Sequence, residues 1–98
     1  MVRIIYRWRL LADNESSFRQ AWAKATKTIR ETWPGARGSF LLKSHQDPAE
    51  FLTIARWDSL EQWRAFWDSG GRTEMREVHA CAQRLSEAVY EELEDHTV

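Results

Sequence analysis

The chain predicts an α+β fold in the order β, α, β, β, α, β, and three observations carry that expectation. Residues 2 to 11 alternate like a strand with two distinct faces, and residues 50 to 57 form another strand that passes almost without a loop into a helix. Between them lies a long amphipathic stretch closed by Trp33-Pro34-Gly35. Ninety-eight residues suit a single domain over 1–98, and a folded chain of this size buries about 60 to 70% of the surface its unfolded form exposes. One core is therefore feasible.

In the first strand Val2, Ile4, Tyr6, Trp8 and Leu10 share one face, with Arg3, Ile5, Arg7 and Arg9 on the other. Asp13 or Asn14 can then cap a helix whose apolar stripe is Phe18, Trp22, Ala25, Ile29 and Trp33. Pro34 keeps Trp33 out of helical geometry, so the helix ends near Thr32. Its Lys24, Lys27 and Arg30 read as a solvated face rather than a binding patch.

Ser39 to His45 is the second strand, Gln46-Asp47-Pro48 is turn chemistry, and Glu50 to Trp57 returns as the third. Asp58 stands where an N-cap belongs and Glu61, three residues on, completes a capping-box-like pair. Leu60, Trp63 and Trp67 form the next stripe, with Phe66 beside it, until Gly70 and Gly71 stop the helix. A further helix is expected over Thr73 to Arg84, burying Met75, Val78 and Ala82. The last strand is expected over Ser86 to Leu93, with Ala88 and Tyr90 opposite Glu87, Val89 and Glu91.

This order, with right-handed crossovers, is the ferredoxin-like βαββαβ arrangement: a four-stranded antiparallel sheet of order 4-1-3-2. Charge distribution agrees. The net charge of -1 hides +6 in residues 1 to 43 and -7 in residues 44 to 98. Interleaved in one sheet, the halves let Arg3, Arg7 and Arg9 face Glu87 and Glu91, which removes the case for a basic nucleic-acid-binding half.

The helices are expected over the side of Tyr6, Trp8 and Trp57. The opposite side would then combine Ile5, Leu41, Leu52, Ile54 and Val89 with Arg7, Arg56 and Glu91. That is more aliphatic surface than a monomer usually leaves in water, so two sheets are expected to pack through it as a homodimer.

Several function classes lose support. Arginines interrupt the N-terminus and no apolar run is long enough to span a membrane, so a cytoplasmic protein without membrane contact is expected. Cys81 is the only cysteine, and His45, His79 and His96 lack metal-ligand spacing, so no metal site is expected. Phosphate loops, nucleotide fingerprints and Ser/His/Asp signatures are missing.

The candidate chemistry rests on few residues. His79 borders the buried face of its helix, where a structural role is commonest, yet its side chain titrates near neutrality and could accept a phenolic proton. Trp8, Trp57, Trp63 and Trp67 suit a core, and equally an apolar pocket against which a planar ligand stacks. Tyr6 and Tyr90, expected on adjacent strands and one face, could each hydrogen-bond a substrate oxygen.

The run from Phe51 to Trp67, FLTIARWDSLEQWRAFW, joins a strand ending in Arg56-Trp57 to a short aromatic helix, and it resembles the antibiotic biosynthesis monooxygenase (ABM) domain family. The residue-level likeness lies in Ile54 to Trp67, and the element order extends it along the chain. The resemblance implies a dimeric α+β barrel. It also implies one of several activities: cofactor-free oxidation of phenolic substrates to quinones by dioxygen, haem degradation, or turnover of small metabolites.

The haem-degrading branch takes an asparagine from the first strand, a tryptophan from the helix after the third, and a histidine further on. Here Arg7 stands near the asparagine position, Trp63 or Trp67 could match the tryptophan, and His79 the histidine. The leading expectation is a cofactor-independent monooxygenase acting on an aromatic or phenolic metabolite, with His79 as base or hydrogen-bond partner. Haem binding or degradation through His79 is the alternative within enzymes, and a non-catalytic dimeric ligand-binding module the alternative outside them.

Overall fold

A computed structural model describes residues 1–97. Its elements are β1 (Val2–Leu10), α1 (Glu15–Thr32), β2 (Ala36–Lys43), β3 (Glu50–Trp57), α2 (Leu60–Ser69), α3 (Gly71–Glu74), α4 (Arg76–Cys81) and β4 (Ala82–Glu91). The four strands form one sheet in the order β2-β3-β1-β4, antiparallel throughout. Read from the other edge this is 4-1-3-2, the ferredoxin-like topology expected.

The core lies between the helices and one face of the sheet. Val2, Ile4, Tyr6 and Trp8 of β1 meet Phe18, Ala21 and Ala25 of α1, Phe51 and Trp57 of β3, and Phe66 and Val78 from the later helices. Trp8 is 0% exposed, and its indole N–H donates to Thr53 Oγ1 at 3.0 Å, so the polar edge is satisfied inside the core. Truncation of such a side chain to alanine costs about 3 to 5 kcal/mol.

β1, β3 and the end of α1 lie where periodicity and Pro34 put them, and the remaining boundaries are corrected by contacts distant in sequence. β2 starts at Ala36 rather than Ser39 and stops at Lys43, because Ala36 pairs with Trp57 and a register shift before Ser39 absorbs Gly38, whose φ is +94. Ser59, not Asp58, caps α2: its hydroxyl accepts from the Gln62 N–H at 3.2 Å, while the Asp58 carboxylate takes two bonds from Arg37 at 2.8 and 2.9 Å. The helix expected over Thr73 to Arg84 breaks at Met75 into α3 and α4 and turns extended at Ala82, four residues before the expected start of the last strand.

The largest correction is in β4. Arg7 lies opposite Ser86 and Trp8 opposite Arg84, which leaves Leu85 as an extra, unpaired residue. Such a bulge reverses the alternation beyond it. Glu87, Val89 and Glu91 consequently stand opposite Tyr6, Ile4 and Val2, whereas Tyr90 stands opposite Arg3 on the helix-free face and is 59% exposed. Tyr90 therefore does not accompany Tyr6, and Glu87 and Glu91 do not face the β1 arginines.

Those arginines find other carboxylates. Arg3 meets Glu92 at 2.7 Å, Arg7 meets Glu50 at 2.8 Å and Arg9 meets Asp47 at 2.6 Å, while Arg56 shares Glu92 at 3.0 Å. The charged halves do interleave, through these partners. Leu41, opposite Thr53, belongs to the helix-facing side, as does Val89; Phe40 and Leu42 take the open face, 61% and 47% exposed, beside Ile5, Leu52 and Ile54. Among the described residues no helix is long and apolar enough to cross a membrane.

Candidate functional site

β3 delivers the chain into α2, and the helical spacing of that element sorts its aromatic residues. Phe66 is buried, 5.3 Å from the Trp57 ring and 5.2 Å from Trp33, while Trp63 and Trp67 remain partly open on the flank toward β4. Gly71 begins α3 directly against them: a Cβ there would stand 2.8 Å from both the Phe66 and Trp67 rings, so only glycine lets the chain turn this tightly over Trp67.

Trp67 meets Tyr6. Its indole N–H donates to the Tyr6 hydroxyl at 3.0 Å, and the rings stand edge to face with centroids 6.4 Å apart. Arg84, brought to the helix side by its position before the bulge, lays its guanidinium 5.0 Å from the Tyr6 ring centre and 5.4 Å from that of Trp67. Burial pushes the Tyr6 hydroxyl up to about 12, against the lowering effect of its bonds with Trp63 and Trp67. Tyr6 thus stays protonated, and no hydrogen bond among the described residues takes its proton.

His79 lies on α4 with its ring edge-on to Trp8, centroids 5.3 Å apart. Its pKa is lowered, first by burial and then by the positive charge of Arg84. The imidazole is therefore neutral at neutral pH and available as a proton acceptor.

These residues border two adjoining spaces. An inner, apolar cavity of about 50 Å³ lies between sheet and helices, lined by Tyr6, Thr53, Trp57, Phe66, Trp67 and Met75, with Trp22 and Ile29 of α1. An outer cleft of about 640 Å³ is lined by Trp63, Arg64, Trp67, Asp68, Arg72, Arg76, His79, Arg84 and Glu87. Trp67 lines both and forms the wall between them.

Of the residues singled out from sequence, Tyr6, Trp57, Trp63, Trp67 and His79 gather round these spaces. Trp8 lies behind them in the core, touching His79, and Tyr90 is on the opposite side of the sheet. Sequence reasoning passed over the four arginines of the outer cleft, because the acidic balance of residues 44 to 98 conceals them. Chemically, the site combines flat surfaces, a neutral base, a free hydroxyl donor and a surplus of positive charge. Among the described residues no three His, Cys, Asp or Glu side chains cluster to hold a metal.

The family model for antibiotic biosynthesis monooxygenases matches residues 1–84. The chain belongs to that family. Solved structures share the ABM fold over nearly its full length. SnoaB, a cofactor-independent oxygenase from Streptomyces nogalater, has a TM-score of 0.82 at 14% identity, covering 97% of this chain and 95% of its own. The haem-degrader MhuD from Mycobacterium tuberculosis has a TM-score of 0.78 at 18% identity, covering 99% and 100%. No curated protein matches the sequence.

Proposed function

We propose that this ABM protein is a cofactor-independent monooxygenase that oxidises a phenol-like aromatic metabolite with dioxygen, its reacting ring held in the outer cleft against Trp63 and Trp67. The observation that carries the reading is that neutral His79 and Arg84 line the same cleft as those tryptophans, with Tyr6 behind Trp67 and bonded to its indole N–H. The cleft, at about 640 Å³, falls within the range of about 300 to 1,000 Å³ usual for small-molecule pockets.

In this mechanism His79 accepts the phenolic proton, and Arg84 holds the resulting oxyanion. The electron-rich ring then passes an electron to dioxygen, and the two radicals combine in a C–O bond to the ring carbon. Loss of that carbon's proton and cleavage of the O–O bond leave a quinone carbonyl and release the second oxygen as water. The substrate supplies all four electrons that reduce the dioxygen.

A haem-degrading reading receives less support from β1. Tyr6 occupies its helix-facing side, and Arg7, near the position of the expected asparagine, turns to the open face and pairs with Glu50. The open face, with Phe40, Leu42 and Tyr90 exposed, supports pairing of two sheets as a homodimer. A mass of 11.6 kDa by light scattering would overturn the dimer.

One set of titrations tests the function. Oxygen uptake on adding 1-naphthol or a related quinol, lost in His79→Ala, is the expected result. A haem Soret band that depends on His79, without phenol-driven uptake, would replace this reading with the haem one. Saturable binding of the phenols with no uptake would leave a ligand-binding module.

A further inference from the structure

Charge pairing across the molecule is uneven. Of the eleven arginines, Arg3, Arg7, Arg9, Arg19, Arg37 and Arg56 each have a carboxylate in salt-bridge contact. Of the five without one among the described residues, four border a single space: Arg64, Arg72, Arg76 and Arg84 of the outer cleft. They come from α2, α3, α4 and β4, so four separate segments bring positive charge to one place. Asp68 and Glu87 share the cleft without bridging to any of them, and His79 is neutral, which leaves a surplus of two positive charges.

The positions are also graded. Arg84 is partly buried over the Tyr6 and Trp67 rings, whereas Arg64, Arg72 and Arg76 are exposed. A guanidinium presents a planar fork of donors that matches a carboxylate with two parallel bonds. Trp63 and Trp67 set a flat apolar surface in the same cleft.

We propose, resting on the reading of this cleft as the substrate site, that it takes an aromatic carboxylic acid: the ring lies against Trp63 and Trp67, the reacting hydroxyl end points to Arg84, and an acid group at the far end is held by Arg64, Arg72 and Arg76. The outer arginines thereby select charged substrates over neutral phenols of the same shape and set the direction in which the ring enters. Attraction of this kind acts through solvent and weakens as salt screens it.

Calorimetric titration with 5-hydroxy-1-naphthoate and with 1-naphthol, a probe of the same ring without the acid, tests the proposal. The acid is expected to bind about tenfold tighter or more at low salt, with the gap closing at high salt. Arg72→Gln combined with Arg76→Gln is expected to abolish the gap, while Lys27→Gln, which removes a cation of α1 remote from the cleft, leaves it. All three positions are exposed, and an unchanged thermal melt verifies that the variants fold.

Equal affinities for the two probes, or a preference that survives the double substitution, would overturn the acid site. Oxygen uptake is read separately on both compounds. Uptake without an acid preference would retain the oxygenase and remove this inference; the arginine-dependent preference with no uptake would do the reverse.

Discussion

Two sets of four arginines divide this molecule. On the open face of the sheet Arg3, Arg7, Arg9 and Arg56 each meet a carboxylate at 3.0 Å or less; in the cleft Arg64, Arg72, Arg76 and Arg84 meet none among the described residues. The side chain is the same and its employment differs. A guanidinium answered by Glu92 or Glu50 helps hold neighbouring strands and the chain that leaves them. Positive charges gathered without an answer repel one another in the folded state, a cost that proteins commonly carry at sites where activity requires it.

The largest effect is expected at His79, the proposed base, beside the unpaired set. His79→Gln should lower kcat/KM for phenol oxidation by about 100-fold or more, the range for loss of a general base. In the wild type, kcat/KM should fall as pH drops through the depressed His79 value, because protonation removes the acceptor. A flat acid limb in a pH–rate profile would take His79 out of the mechanism.

Next comes Arg84→Gln, expected to reduce kcat/KM by about 10- to 100-fold with little change in the melting temperature. Removing its charge should also raise the His79 titration midpoint, since Arg84 is the second cause of that shift; NMR of the imidazole reads it directly. The paired set should behave in the opposite way. Glu92→Gln, which leaves both Arg3 and Arg56 without their partner, should lower the melting temperature and leave kcat/KM unchanged.

Glu92 is held below the usual carboxylate range, chiefly by its bond from Arg3, so its stabilising effect is present above the ordinary carboxylate value and disappears as pH falls through the depressed one. Acid unfolding of wild type against Glu92→Gln measures the difference. The smallest effect lies at the alkaline end. Tyr6 resists ionisation until about pH 12 while an unfolded tyrosine ionises near 10, so stability should decline across that window. Ultraviolet titration of Tyr90→Phe, which leaves Tyr6 as the remaining tyrosine, follows it.

Much of the fold was legible because its determinants are local. The alternation of Val2 to Leu10, the Pro34 stop and the β-to-α passage at residue 58 each work within a few residues, and the strand Glu50–Trp57 has the bounds its pattern implies. What was not legible depends on partners far along the chain. Asp58 has the chemistry of a cap, but Arg37, 21 residues away, engages it and leaves the task to Ser59.

The site was legible in part for the same reason. Trp63 and Trp67 follow from helical spacing and His79 from its place beside Met75. The arginine set becomes visible only when four segments are folded together, and the register of β4, which decides what accompanies Tyr6, carries no local signature.

Leu85 has a consequence for how such a protein can change. A strand of uninterrupted alternation would tie every residue of β4 to one rule, so any shift that suited the cleft would disturb the exposed side as well. The extra residue puts the strand's two ends in opposite phase, with Ala82 and Arg84 addressed to the interior and Ala88 and Tyr90 to the outside. Deleting Leu85 itself would remove the bulge and keep every pairing, but deleting one codon beyond it, at Ala88, would bring Tyr90 opposite Ile4 beneath the helices while leaving Arg84 in position. One residue of length, rather than any particular side chain, is therefore a means by which this scaffold could trade one lining for another.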